Sequence, residues 1–209
     1  MQPSPNPSSY VIPHHCVHKT TSSSTKLRVV FNASAPDDKG VSLNEQLLSG
    51  PKLQGDLPTI LTSFRIQPIA VCADIRQMYR QILVKPSDRA HQHIFWRPSP
   101  SSPVVEYELN TVTYGMTPSA FLAQRVLHQL VSDEGADFPL ASHALSSQTY
   151  IDDIVSGAPD LVQARILQSQ LQTLLARGGF ELRKWSSNDP AALNAVPDAH
   201  RKSPPRFFK

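Results

Sequence analysis

Short apolar runs broken by Pro, Ser and Asp alternate along the chain with two longer segments of helical spacing, so the first expectation is a sheet flanked by helices. Leu27–Phe31 is a β-branched and aromatic run between a Thr/Ser cluster and Asn32, Ser34 and Pro36, and reads as a strand. Residues 68–73, with Ile69, Val71 and Cys72, read as a buried strand that delivers Asp74 at its end. Residues 82–84, 91–96 and 104–112 supply further strands, separated by turn-forming residues.

Two helices are expected against these strands. Thr117, Pro118 and Ser119 open the first, which carries Phe121, Leu122, Val126, Leu127, Leu130 and Val131 at helical spacing. The second has Asp160 as its N-cap, shows Ile166, Leu167, Leu171, Leu174 and Leu175 on one face, and stops at Gly178-Gly179. Between them residues 148–156 form a strand, turn and strand with Asp152 and Asp153 at the bend. The order strand, strands, helix, hairpin, helix, strand predicts an α+β fold, a split β-α-β arrangement of ferredoxin-like outline. The ends read as loose: residues 1–9, rich in Pro and Ser, as a disordered segment, and residues 189–209, punctuated by Pro190, Pro197, Pro204 and Pro205, as a flexible tail.

Composition narrows this picture modestly. With 209 residues and 40% hydrophobic content the chain can build a real core, and 19 Pro against 8 Gly favour extended segments over a helical bundle. The net charge of +3 is compatible with a polyanionic partner. Its distribution says more, since Arg65, Arg76, Arg80, Lys85, Arg89 and Arg97 face only Asp74 and Asp88 within residues 61–97. An ordinary solvated face accounts for that stretch equally well. No apolar run of about 18 residues exists, and no secretory leader, so an intracellular protein without a membrane span is expected. Two cysteines cannot form a disulfide framework. His14, His15, Cys16 and His18 are too closely spaced for an ordinary zinc finger and no second ligand pair follows, so no role is assigned to them.

The chemistry lies in the acidic residues. Adjacent carboxylates at the tip of an apolar hairpin raise each other's pKa unless a cation is near, and a divalent metal removes the conflict. An exposed turn merely decorated by Asp is the alternative. Asp74 at the end of a strand would bring three carboxylates to one rim of a sheet, enough for a pair of Mg²⁺ ions that clamp the attacking and leaving oxygens of a phosphoryl transfer.

Tyr150-Ile151-Asp152-Asp153 resembles the tyrosine-x-aspartate-aspartate motif of reverse transcriptases, and Asp74-Ile75-Arg76-Gln77-Met78-Tyr79 resembles their preceding aspartate motif. Residues 10–15, 28–34, 42–44 and 179–185 are together similar to the polymerase of BEL/Pao-type long-terminal-repeat retroelements, over roughly residues 10–188. This resemblance implies a polymerase palm over residues 68–188, with finger strands inserted around 80–112, and a fingers portion over 10–67. It implies RNA-directed DNA polymerase activity on an RNA or DNA template with primer, using deoxynucleoside triphosphates and two Mg²⁺ ions, with Mn²⁺ as a substitute. Asp74, Asp152 and Asp153 would be the metal ligands, assisted by the carbonyl of Ile75. Tyr79 would be the aromatic gate under the sugar, Arg28 the fingers arginine on the incoming nucleotide, with Lys26 adding charge, Gly115 the close-approach turn, and Lys184 the proton donor to pyrophosphate.

Bland readings stand beside these: Tyr79 as a core aromatic, Arg28 as an edge-strand solubiliser, Lys184 as a surface lysine beside Trp185. Asn32 stands where the family frequently has aspartate, and Pro118 lies earlier than the family's usual alanine-proline ending. After Trp185 too few residues remain for a thumb, which predicts a piece or decayed copy of a longer polyprotein with thumb and RNase H regions, and weak or undetectable activity of the chain by itself. A catalytically inactive fragment that binds nucleic acid, and a two-metal nuclease, are the rival readings.

Overall fold

The structure, a computed structural model, describes residues 1–18 and 27–202; Lys26 and the last seven residues of the expected tail lie outside them. In chain order its elements are strands β1 (Gln2–Pro3), β2 (His14–His18) and β3 (Leu27–Phe31), helices α1 (Leu43–Gln46) and α2 (Leu57–Ile66), strand β4 (Ile69–Ile75) and helix α3 (Met78–Gln81). There follow strands β5 (His93–Trp96) and β6 (Val105–Glu108), helices α4 (Ser119–Glu134) and α5 (Pro139–Ser147), strands β7 (Thr149–Tyr150) and β8 (Asp153–Ala158), helix α6 (Leu161–Arg177) and strand β9 (Leu182–Ser186). The chain forms two compact units, one of residues 1–51 with 79–123, the other of residues 52–78 with 124–209. The expected boundary at 67/68 thus falls inside the second unit, because α2 packs against β7 and β8 there.

In the second unit a four-stranded antiparallel sheet has the order β7-β8-β4-β9. Val71, Ala73 and Ile75 of β4 and Ile154, Ser156 and Ala158 of β8 are buried, while Cys72, Asp74, Asp153 and Val155 alternate with them on the other face. Helix α6 lies against β4 and β8 and α5 against β8, with Leu167, Leu171, Leu174 and Leu175 buried. The expected limits of α6 hold for local reasons: the Asp160 carboxylate accepts from the Gln163 N–H at 2.8 Å, and Gly179 ends the helix at φ +75°.

Strand β9 breaks the two-residue alternation. Leu182 and Trp185 are both buried although three positions apart, which a regular strand cannot achieve; the register with β4 shifts between Cys72 and Asp74, and the extra residue is taken up in a bulge. Beyond β9 the expected flexible tail is corrected as far as Lys202. Ala192, Leu193 and Val196 are buried, the Arg201 guanidinium donates to the carbonyls of Val196 and Leu193 at 3.0 and 2.9 Å, and Arg201 bridges Trp185 in parallel. Prolines at 190 and 197 open 3₁₀ turns rather than disorder.

In the first unit β1, β6 and β5 form an antiparallel sheet and β2 and β3 a two-stranded ribbon. Its core joins Ile12, Ala33, Leu43 and Ile94, with Tyr10, Phe31 and Met116 packed around them. Residues 1–9, expected to be disordered, include β1, paired with β6, and the Ser8 N–H donates to Glu106 Oε1 at 2.7 Å. The expected strand at 82–84 shrinks to a bridge between Leu83 and Thr111, since α3 and a 3₁₀ turn at Pro86–His91 occupy its flanks. Asn44 of α1 ties two loops together: its side-chain amide donates to Ser34 Oγ and the Gly115 carbonyl at 2.8 and 2.9 Å, and its Oδ1 accepts from the Thr117 N–H at 2.8 Å.

Candidate active site

Strand β4 runs two residues further than expected, so Asp74 is its penultimate residue and stands directly opposite Asp153 of β8. Side chains of directly paired residues share a sheet face, with Cβ atoms about 5 Å apart. Asp152 belongs to the two-residue loop between β7 and β8, where Tyr150 pairs with Asp153. Its carbonyl accepts from the Ile75 N–H at 2.8 Å, tying the loop to β4. Ile151, the first loop residue, has φ +58°. A hairpin turn of this length favours Gly at such a position, and a β-branched residue held there is strained. Its N–H donates to Gln54 Oε1 at 2.9 Å, and Gln124 Nε2 donates to the same oxygen at 3.1 Å. Gln54 and Gln124 went unnoticed in the sequence because a lone Gln outside any motif carries no signal until folding brings it to the turn.

The three aspartates therefore share one end of the sheet. Burial pushes the Asp152 carboxyl above the ordinary carboxylate range, and the charges of Asp74 and Asp153 add to the rise; its own backbone N–H and Lys184 oppose it. Asp153, more open to solvent, is raised chiefly by lost hydration and next by Asp74, against Lys184 and Lys202. Lys184 Nζ lies 2.6 Å from Asp74 Oδ2. Lys202, read from sequence as tail, reaches this neighbourhood because its N–H donates to the Trp185 carbonyl at 2.8 Å.

Among the described residues no three His, Cys, Asp or Glu side chains form a group able to hold a metal ion. A closed cage of three protein carboxylates does not fit. A hard divalent ion that takes one or two carboxylates and completes its shell with water and phosphate oxygens does, because Asp74 and Asp153 are opposed across the ladder with their charges in mutual conflict.

Of the other expected site residues, Ile75 and Lys184 belong to the same unit as the aspartates, while Arg28, Tyr79 and Gly115 belong to the first. Arg28 is exposed on β3 opposite Val17. Tyr79 lies in α3, where its carbonyl accepts from the Ile82 N–H at 3.3 Å. Gly115 has φ +89°, and a Cβ there would stand 2.6 Å from the Phe31 carbonyl oxygen, so the turn admits only glycine. The adjacent Tyr114 hydroxyl donates to the Val29 carbonyl at 2.5 Å. His14 packs its ring against Phe31 and Trp96, at centroid distances of 6.0 and 6.3 Å. No helix among the described residues is long and apolar enough to cross a membrane.

No protein-family model matches the sequence, and no curated protein does. Solved structures match widely, across 437 chains. One is the crystal structure of the prototype foamy virus protease-reverse transcriptase, similar at a TM-score of 0.66 and 16% sequence identity over 88% of this chain and 21% of the viral one. This chain thus spans about a fifth of that protein's length. The likeness is to a retroviral protein, so the BEL/Pao resemblance rests on the sequence motifs alone. At this identity what is shared is architecture: the chain has a reverse-transcriptase-like fold of helices and antiparallel sheets.

Proposed function

We propose that the chain is the catalytic segment of an RNA-directed DNA polymerase of the BEL/Pao type. The second unit is its palm and the first unit part of its fingers. The observation that carries this reading is the direct opposition of Asp74 and Asp153 across β4 and β8, with Asp152 in the adjoining turn, on the unburied face of the sheet. The strand order β7-β8-β4-β9 supports it, since it is that of a ferredoxin-like split β-α-β sheet, and so does the reverse-transcriptase-like fold.

In this reading Asp74, Asp152 and Asp153 would share two Mg²⁺ ions, for which Mn²⁺ can substitute, no ion taking all three carboxylates and each completing its shell with water and phosphate oxygens. When bound, the metal supplies a lowered pKa at the primer 3′-hydroxyl and charge neutralisation at the departing pyrophosphate. The protein's own residues do the rest. Asp74 and Asp153, fixed on paired strands, would hold the cations that bind the reacting phosphate without having to reorganise. Arg28 offers a planar, permanently charged guanidinium to the nucleotide, Tyr79 excludes a 2′-hydroxyl, Gly115 admits the base pair to the backbone, and Lys184 delivers a proton to the pyrophosphate. Template and primer bind through backbone and shape. Thumb and RNase H regions of a longer polyprotein would complete the grip.

Primer extension with Mg²⁺, deoxynucleoside triphosphates and an RNA template tests the reading. Extension by the wild type, reduced at least about a thousandfold by Asp152→Asn, is the expected result, with a weak rate that a longer polypeptide raises. Tight template binding with no extension from either polypeptide would establish an inactive binding module instead, and shortening of the template a nuclease.

A further inference from the structure

The bulge in β9 does more than bury Trp185. Arg183 pairs with Asp74 and Ser186 with Cys72, so Lys184 and Trp185 together face Ala73. Lys184 is the residue that takes the left-handed conformation, at φ +53°, where glycine is the residue that fits without strain. Packing explains why a bulge is present, but not why its strained position carries a long cationic side chain. The amine supplies that explanation. Its 2.6 Å contact is with a carboxylate whose side chain is only 15% exposed, while the lysine itself is 53% exposed. The same charge opposes the upward shifts at Asp152 and Asp153.

We infer that Lys184 is a built-in counterion of the acidic cluster, seated on Asp74 by the bulge and exchanged for a divalent cation when one binds. The inference rests on the polymerase reading for the identity of that cation. A metal that takes Asp74 as ligand must break the lysine contact, so metal affinity is lower than the carboxylates alone would give. The released amine is then free beside the cluster, where a proton donor to pyrophosphate is required. Lys184 is thus a positioning residue at rest and a candidate acid during turnover.

The test is a Mn²⁺ titration of the intact 209-residue chain, followed by the electron paramagnetic resonance of free Mn²⁺. It compares wild type with Lys184→Gly, Lys184→Arg and Asp153→Asn. Glycine suits the bulge conformation, so Lys184→Gly removes the amine without straining the strand, which circular dichroism verifies. We expect Lys184→Gly to bind Mn²⁺ about tenfold more tightly, Lys184→Arg to stay near wild type, and Asp153→Asn to bind more weakly. Equal or weaker binding by Lys184→Gly, with binding still weakened in Asp153→Asn, overturns the counterion and leaves the metal reading standing. No Mn²⁺ bound by any of the four proteins overturns both.

Discussion

Hairpins β2–β3 and β7–β8 are both short antiparallel pairs with β-branched residues, but β2–β3 is a two-stranded ribbon, largely exposed along both strands. Hairpin β7–β8 is continued by β4 and β9 and buries one face, so that every second residue of β8 is inaccessible. An isolated two-stranded ribbon is marginal in water, and this one is anchored at its base by the Tyr114 hydroxyl on Val29 and the Tyr114 ring on Phe31, 5.2 Å between centroids. The difference separates two kinds of site residue. Arg28 sits exposed on the ribbon, where in the proposed function its side chain would follow a substrate, whereas Asp74, Asp152 and Asp153 sit where strain and like-charge conflict can be held in place by the packing beneath.

Four substitutions sharpen this contrast. The largest effect is expected at Trp185, which is fully buried at 0% exposure beneath the acidic face: Trp185→Ala should cost about 3–5 kcal/mol in denaturant unfolding. Val30→Ala on the ribbon should cost a small fraction of that, and comparable losses at the two positions would mean the ribbon is packed as a core. Next comes Gly115→Ala, expected to cost about 1–3 kcal/mol from backbone strain and the clash with Phe31. Hydrogen exchange should then rise in the first unit while β4 and β8 keep their protection.

The smallest effect concerns charge. Because the folded-state pKa of Asp153 is raised above its unfolded value, its contribution to stability is present while the carboxyl is protonated. That contribution is lost as pH climbs from the ordinary carboxylate range through the raised value. Asp153→Asn should therefore raise the thermal midpoint slightly at neutral pH in metal-free buffer and flatten its fall above that range; a lowered midpoint would mean that the charge is welcome there even without a divalent ion.

Features set by neighbours in sequence were legible. Asp160, the leucine stripe of α6 and Gly178-Gly179 specify a helix through capping and periodicity alone, and a chain reversal near Asp152 follows from polar residues between two apolar runs, although the loop itself is Ile151-Asp152 and Asp153 already belongs to β8. Helix α2 was not, since Pro58 and scattered polar residues blur its period and its single fully buried side chain is Ile60. Helix α5, with its small Ala and Ser residues, buries Ala141, Ala144 and Leu145 only because α6 and β8 lie against it. Neither Gln54 beneath Ile151 nor the docking of residues 188–202 could be read, because each depends on partners many positions away.

The amino-acid order by itself determined which carboxylates exist, which segments are extended or helical, and where chain reversals fall, because propensity and alternation act over a few residues. Only the tertiary structure decided that Asp74 faces Asp153, that β9 bulges so that Lys184 reaches Asp74, and that a Pro-rich end packs on Trp185. Those outcomes depend on strand register and on burial shared between remote segments, which local interactions do not specify.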